Sequence, residues 1–78
     1  MDLSALFLML ASSALVHLGA APGAEGGQRD LGQARLCIEL LRLLQDKTQG
    51  HRTPEENQLL EEILYDLQLR FVEAAGAG

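Results

Sequence analysis

Hydrophobic residues recur along most of the chain at the spacing of an α-helix, and they divide it into three segments. The first, residues 3–18, is apolar nearly throughout, whereas residues 30–49 and 54–75 mix apolar and polar positions with the helical period. No segment predicts a strand. The pattern therefore predicts an all-α fold: an antiparallel helical hairpin formed by residues 30–49 and 54–75, preceded by an apolar helix over residues 3–18.

The second predicted helix has an unusually wide apolar surface. On a helical wheel its hydrophobic side chains fill an arc of about 240°, against the ~100° stripe of an ordinary surface helix. The narrow remaining face holds a ladder of charges at helical contact spacing, formed by Arg35, Glu39, Arg42 and Asp46. We expect this helix to contact neighbours on two sides and to form the centre of the core, with the ladder facing solvent.

The third predicted helix has one main apolar face and one smaller patch. The main face consists of Leu59, Leu60, Ile63, Leu64, Leu67 and Phe71, and most of the acidic residues lie opposite. Tyr65, Leu69 and Val72 sit together off that face. This patch either meets the first helix or a partner, or it consists of three ordinary exposed residues, which need no explanation.

Residues 3–18 contain no formally charged side chain, and three interpretations compete for them. A signal peptide over residues 1–21 would need a positive charge before the apolar run, and Pro22 directly follows the candidate cleavage sequence. A membrane span would need about 20 apolar residues. We prefer a buried helix, which is apolar nearly all round and is therefore covered by more than one neighbour.

The sequence around residue 50 combines a helix stop with a helix start. Gly50 can take the left-handed conformation that closes a helix, because it has no Cβ. Thr53 is expected to cap the next helix, with Pro54 at the first helical position and Glu56 completing a capping box. The chain is therefore predicted to turn back on itself here.

Polar residues cluster at this turn, among them Lys47, His51 and Arg52. One interpretation is a recognition tip for an unidentified protein partner. We favour the simpler one, in which Lys47 and Arg52 neutralise the carbonyl end of the second helix. Beyond this, the sequence indicates no structural role for His51 or Arg52.

Composition bounds the organisation and the partners of the chain. Its 78 residues make one small domain, with a Gly/Ala/Pro-rich linker at residues 19–29 and a frayed C-terminus at residues 76–78. One cysteine excludes an internal disulfide, so self-association is the expected way to stabilise so small a core. The net charge of −5 opposes nucleic-acid binding.

The charge is also unevenly distributed along the predicted hairpin. Residues 28–53 have five basic against three acidic residues, a net charge of +2, whereas residues 54–78 have six acidic residues against Arg70, a net charge of −5. Opposite charges on the two halves of the hairpin favour their pairing, either within one chain or between two chains.

No pattern of residues indicates catalysis or a bound cofactor. The strongest metal-ligand candidates, His17, Cys37 and His51, lie on three different elements and lack the paired spacing of a zinc site. The helical wheel places Cys37 inside the apolar arc, where a cysteine behaves as a small hydrophobe. We therefore predict no catalytic, cofactor-binding or metal-binding residues and no enzyme activity.

Several stretches of the sequence resemble a family of short bacterial proteins classed as a domain of unknown function, number 1844. They are residues 12–19, Leu31 to Arg35, the leucine-rich run from Ile38 to Leu44, Lys47 to Gly50, Thr53 to Glu56, Leu59-Leu60, Tyr65 to Leu67 and Phe71 to Glu73. The resemblance implies a bacterial, cytoplasmic, helical protein that retains its N-terminal helix. It brings no established activity and no site residues.

Together these features predict a non-enzymatic interaction or accessory protein that self-associates, with a dimer preferred. The interface candidates are the apolar residues Leu6, Leu10, Leu36, Leu40, Leu43, Leu44, Leu60, Leu64, Leu67 and Phe71. The alternative is an exported or membrane-associated protein in which residues 1–21 act as signal peptide or anchor.

Overall fold

The computed structural model describes residues 2–19 and 29–76. These residues form three α-helices: α1 (Leu3–Leu18), α2 (Leu31–Lys47) and α3 (Pro54–Gly76). The described ranges contain no strand, and the all-α prediction is confirmed. Most of the predicted linker and residues 77–78 lie outside the described residues.

The ends of α1 are set by residues that bond to its backbone. The Asp2 carboxylate accepts the N–H of Ser4 at 3.0 Å and so caps the N-terminus, a role that the sequence analysis missed. Gly19, assigned above to the linker, closes the helix in the left-handed conformation with φ 76°, and its N–H donates to the carbonyl of Val16.

Helix α2 begins as predicted and ends slightly earlier. The Asp30 carboxylate accepts the N–H of Gln33 at 3.1 Å, which confirms its expected capping role. The helix ends at Lys47 instead of residue 49, because Thr48 leaves helical geometry while its hydroxyl donates to the carbonyl of Leu44 at 2.6 Å. The backbone N–H of Thr48 donates to the same carbonyl at 2.8 Å, so both the amide and the hydroxyl of Thr48 close the last turn of α2.

The three helices form an up–down–up bundle in which each packs against the other two. The N–H of Asp30 donates to the carbonyl of His17 at 2.7 Å, so the start of α2 lies beside the end of α1. The N–H of Leu3 donates to the Glu56 carboxylate at 3.0 Å, so α1 and α3 begin at the same end. Helix α2 therefore runs antiparallel to both.

All three helices contribute to one hydrophobic core. Its buried residues are Phe7, Ala11, Ala14 and Leu18 from α1, Ala34, Cys37, Ile38 and Leu41 from α2, and Leu60, Leu64 and Leu67 from α3. They follow the predicted helical periodicity. Since α1 buries one face and leaves Leu8, Met9 and Val16 exposed, the hairpin covers only part of its surface. No helix in the described ranges is long and apolar enough to cross a membrane.

Candidate interaction surfaces

The fold leaves large hydrophobic side chains exposed on all three helices. On α2 they are Leu36, Leu40 and Leu43, here called the leucine stripe. On α3 they are Tyr65, Leu69 and Val72, here called the α3 ridge, of which Tyr65 is 74% and Val72 66% exposed. The smaller patch identified from the sequence therefore does not pack against α1.

The predicted interface residues fall into three groups in the structure. Leu36, Leu40 and Leu43 are exposed, and Leu6, Leu10, Leu44 and Phe71 are partly buried at the edge of the core. Leu60, Leu64 and Leu67 are fully enclosed by their own chain. These last three pack within the chain, and the exposed members of the predicted set all lie on α2.

A groove of about 310 Å³ separates α2 from α3 on the outside of the bundle. Ile38 and Phe71 supply its apolar surface, and Val72 of the α3 ridge borders it. Arg35, Glu39 and Arg42 line its α2 side, with a net charge of +1. The groove thus has two guanidinium groups and one carboxylate on its α2 side and the exposed Val72 on its α3 side.

The charged residues of α2 and α3 form ion pairs within each helix and none between the two helices, as far as the described residues extend. Arg35 pairs with Glu39 at 3.2 Å, and Arg70 pairs with Asp66 at 2.8 Å. Both pairs join residues four apart on one helix and are exposed. The opposite net charges of the hairpin halves are therefore not joined by ion pairs within the described chain.

The turn between α2 and α3 has the predicted capping geometry. Gly50 lies at φ 85°, and Pro54 is the first residue of α3. The Thr53 hydroxyl accepts the N–H of Glu56 at 3.1 Å, while the Glu56 carboxylate accepts the N–H of Thr53 at 2.8 Å. The capping box inferred from the sequence is confirmed.

Glu56 has a second role that sequence reasoning missed. One carboxylate oxygen serves the capping box, and the other accepts the N–H of Leu3, 53 residues away in sequence. Its side chain is only 6% exposed, so it is enclosed where the first turns of α1 and α3 meet. No local pattern announces a contact over this distance.

Arg52 ties the end of α2 to the start of α3. Its guanidinium donates to the carbonyl of Gln45 at 2.6 Å, to the Thr48 hydroxyl at 3.0 Å and to the Asn57 side chain at 3.1 Å. The sequence left the structural role of Arg52 undefined beyond its charge, and these bonds define it. The expectation that it serves the carbonyl end of α2 was right, and the bonds give it a specific geometry.

The candidate metal ligands remain apart. Cys37 is buried in the core, His17 is partly buried in the last turn of α1, and His51 is exposed in the turn. Across residues 2–19 and 29–76, no three His, Cys, Asp or Glu side chains converge to hold a metal ion.

Fold and surface together define a small three-helix protein with apolar and charged residues side by side on its outer faces. The chain belongs to the family described as Domain of unknown function (DUF1844), whose model matches residues 1–73. The match includes all of α1 and most of α3, and it confirms the resemblance seen in the sequence. No curated protein and no solved structure matches the chain.

Proposed function

We propose that this protein is a non-enzymatic interaction or accessory protein of the cytoplasm and that it self-associates, as a dimer, through apolar helix faces. The observation that supports the proposal is the set of exposed hydrophobic side chains that the three-helix fold leaves on α1, α2 and α3. Binding of an unidentified protein partner is a further role for the same surfaces. The proposed function involves neither a cofactor nor nucleic acid.

The arrangement of these residues favours helix-to-helix association. Leu36, Leu40 and Leu43 are spaced by four and three residues, the spacing at which one helix presents a continuous seam to another. Tyr65, Leu69 and Val72 repeat that spacing on α3. Burying such side chains contributes about 25 cal/mol per Å² of apolar surface, which matters in a chain with so small a core.

The test is the mass of the purified full-length protein in solution. Sedimentation or light scattering over a micromolar concentration series should give twice the 8.4 kDa mass of the chain, with dissociation on dilution. A folded protein that remains at the monomer mass throughout the series would contradict self-association.

The proposal also requires that α1 is retained and not removed as a signal peptide. Four of the eleven buried hydrophobic residues in the described core come from α1. Loss of residues 1–21 would therefore expose the facing sides of α2 and α3, and would take away the backbone N–H that Glu56 binds. Intact mass of the protein from its own cells should show the chain with its α1 residues present, in the soluble fraction. Recovery of a chain lacking residues 1–21 would favour the export alternative.

A further inference from the structure

We infer that a second copy of this chain docks on the outer face of α3, so that the α3 ridges of the two copies pack together and the basic edge of each α2 meets the acidic edge of the other α3. This inference rests on the proposed self-association and specifies its surface.

On one side of the α3 ridge lies the α2 edge of the groove, where two arginines and Glu39 give a net charge of +1, and on the other side lie acidic residues of α3. Val72 borders the groove that Arg35 and Arg42 line, so the direction from Leu69 to Val72 points towards α2. At about 100° per residue, Glu62 and Glu73 lie roughly 20° and 40° from Leu69 on the side away from α2. Both glutamates are exposed.

This arrangement is complementary to itself under one particular symmetry. A twofold axis parallel to α3 places the basic flank of each copy opposite the acidic flank of the other, with the two ridges in contact between them. The same rotation preserves position along the helix. Arg35 and Val72 line the same groove and therefore lie at the same height along α3. Glu73 directly follows Val72, so Arg35 of one copy faces Glu73 of the other.

The charges needed for this contact are available. Arg42, Glu62 and Glu73 form no ion pair within residues 2–19 and 29–76. Among the described residues, Arg35 pairs only with Glu39, and both side chains are more than half exposed, so this pair contributes little and can exchange partners. Opposite charges around an apolar centre would set the orientation of the two copies.

Under the same parallel twofold symmetry, the leucine stripe lacks this complementarity. The charged ladder of α2 flanks the stripe on one side. Helix α1, on the other side, contains no formally charged residue between Leu3 and Leu18 that could pair with the ladder of a second copy. The stripe can bury apolar area, but in this arrangement no described residue of α1 pairs with the charges beside it. It is therefore the competing surface in the experiment.

The experiment exchanges charges in the full-length chain. One variant contains Arg35→Glu and Arg42→Glu, and the other contains Glu62→Lys and Glu73→Lys. Each variant alone should raise the dimer Kd by roughly tenfold or more, because both flanks of the interface then oppose like charges. An equimolar mixture should recover a heterodimer of wild-type affinity, because the introduced glutamates of the first variant face the introduced lysines of the second and the native charges of the other flank still pair.

Leu40→Gln provides the matched control on the leucine stripe, with circular dichroism to verify that all variants are folded. We expect it to leave the dimer Kd within about twofold of the wild type, since surface substitutions outside an interface have small effects. Leu69→Gln on the α3 ridge should abolish the dimer.

The outcomes separate the two proposals. A wild-type protein that is monomeric rejects both the self-association and the α3 interface. A wild-type dimer that resists both charge variants, or that Leu40→Gln dissociates, overturns the α3 interface and leaves self-association standing. Charge variants that dissociate alone and fail to associate when mixed also overturn it.

Discussion

The α2–α3 turn and the attachment of α1 to the hairpin are held together in different ways. Between α2 and α3, Arg52, Thr53 and Glu56 bond to backbone and side-chain groups within seven residues of themselves. Helix α1 is attached to the hairpin mainly by buried apolar residues, with the bond from Leu3 to Glu56 and the bond from Asp30 to His17 at its two ends.

The difference teaches which parts of a fold are specified locally. The α2–α3 turn uses short-range hydrogen bonds that depend on residue type and spacing, so it is specified by its own few residues. The position of α1 depends on which donors and apolar faces the rest of the chain brings to it. Substitutions of the residues that dock α1 should therefore lower the stability of the protein more than substitutions in the turn.

The largest effect is expected where α1 enters the core. Phe7→Ala removes a fully buried ring and should destabilise the protein by about 3–5 kcal/mol, through lost burial and a residual cavity. Urea unfolding followed by circular dichroism measures the loss. Met9→Ala, two residues on and exposed, is the control and should change stability by less than about 0.5 kcal/mol. Equal effects for the two variants would show that α1 is not docked through Phe7.

Glu56 bonds both to the first residue of α1 and within the α2–α3 turn. Its removal should therefore cause the next largest loss of stability. Glu56→Ala leaves the N–H groups of Leu3 and Thr53 without their acceptor and should cost about 2–3 kcal/mol. Thr53→Ala removes only the other half of the capping box and should cost about 1 kcal/mol.

Hydrogen exchange distinguishes these two variants further. The amide of Leu3 should exchange faster in Glu56→Ala and at the wild-type rate in Thr53→Ala, because only the first change removes its acceptor. Equal exchange of Leu3 in both would mean that Glu56 acts only within the capping box.

A smaller loss is expected from the turn itself. Arg52→Met keeps much of the aliphatic stem but deletes donors to Gln45, Thr48 and Asn57, and should cost about 1–2 kcal/mol. Lys47→Met is the matched control, since Lys47 is exposed, and should cost less than about 0.5 kcal/mol. If the two variants unfold at the same urea concentration, the bonds of Arg52 contribute nothing net.

The smallest loss of stability is expected for a residue that belongs neither to the α2–α3 turn nor to the attachment of α1. Arg70→Met deletes the exposed ion pair with Asp66 and should cost only about 0.3–0.5 kcal/mol, falling further as salt screens the charges. Urea unfolding at low and high ionic strength measures both values. A loss above that of Arg52→Met would reverse the expected order.

The sequence was sufficient for most of the fold. Periodicity located three helices and the buried face of α3, and residue types identified the caps at Asp30 and Thr53. The sequence did not predict the hydrogen bond from Leu3 to Glu56, because a carboxylate accepts any N–H that the fold brings to it. Capping chemistry could have identified Asp2, which immediately precedes the first apolar run.

The candidate surfaces were predictable only in part. The wheel separated Tyr65, Leu69 and Val72 from the main face of α3, and the structure shows them exposed. The wheel did not separate the buried Leu60 and Leu64 from the exposed Leu36 and Leu40, because a periodic apolar face looks the same whether its neighbour is in the same chain or another.

The bond between Leu3 and Glu56 also fixes where probes attached to the chain would lie. It holds the start of α1 next to the start of α3, while the 23 residues of α3 carry Gly76 about 34 Å away along the bundle. A fluorophore at Asp2 would therefore report on the turn, and one at Gly76 on the opposite end. With two chains joined along parallel α3 helices, dyes at Gly76 would approach each other, which energy transfer between labelled copies can measure directly.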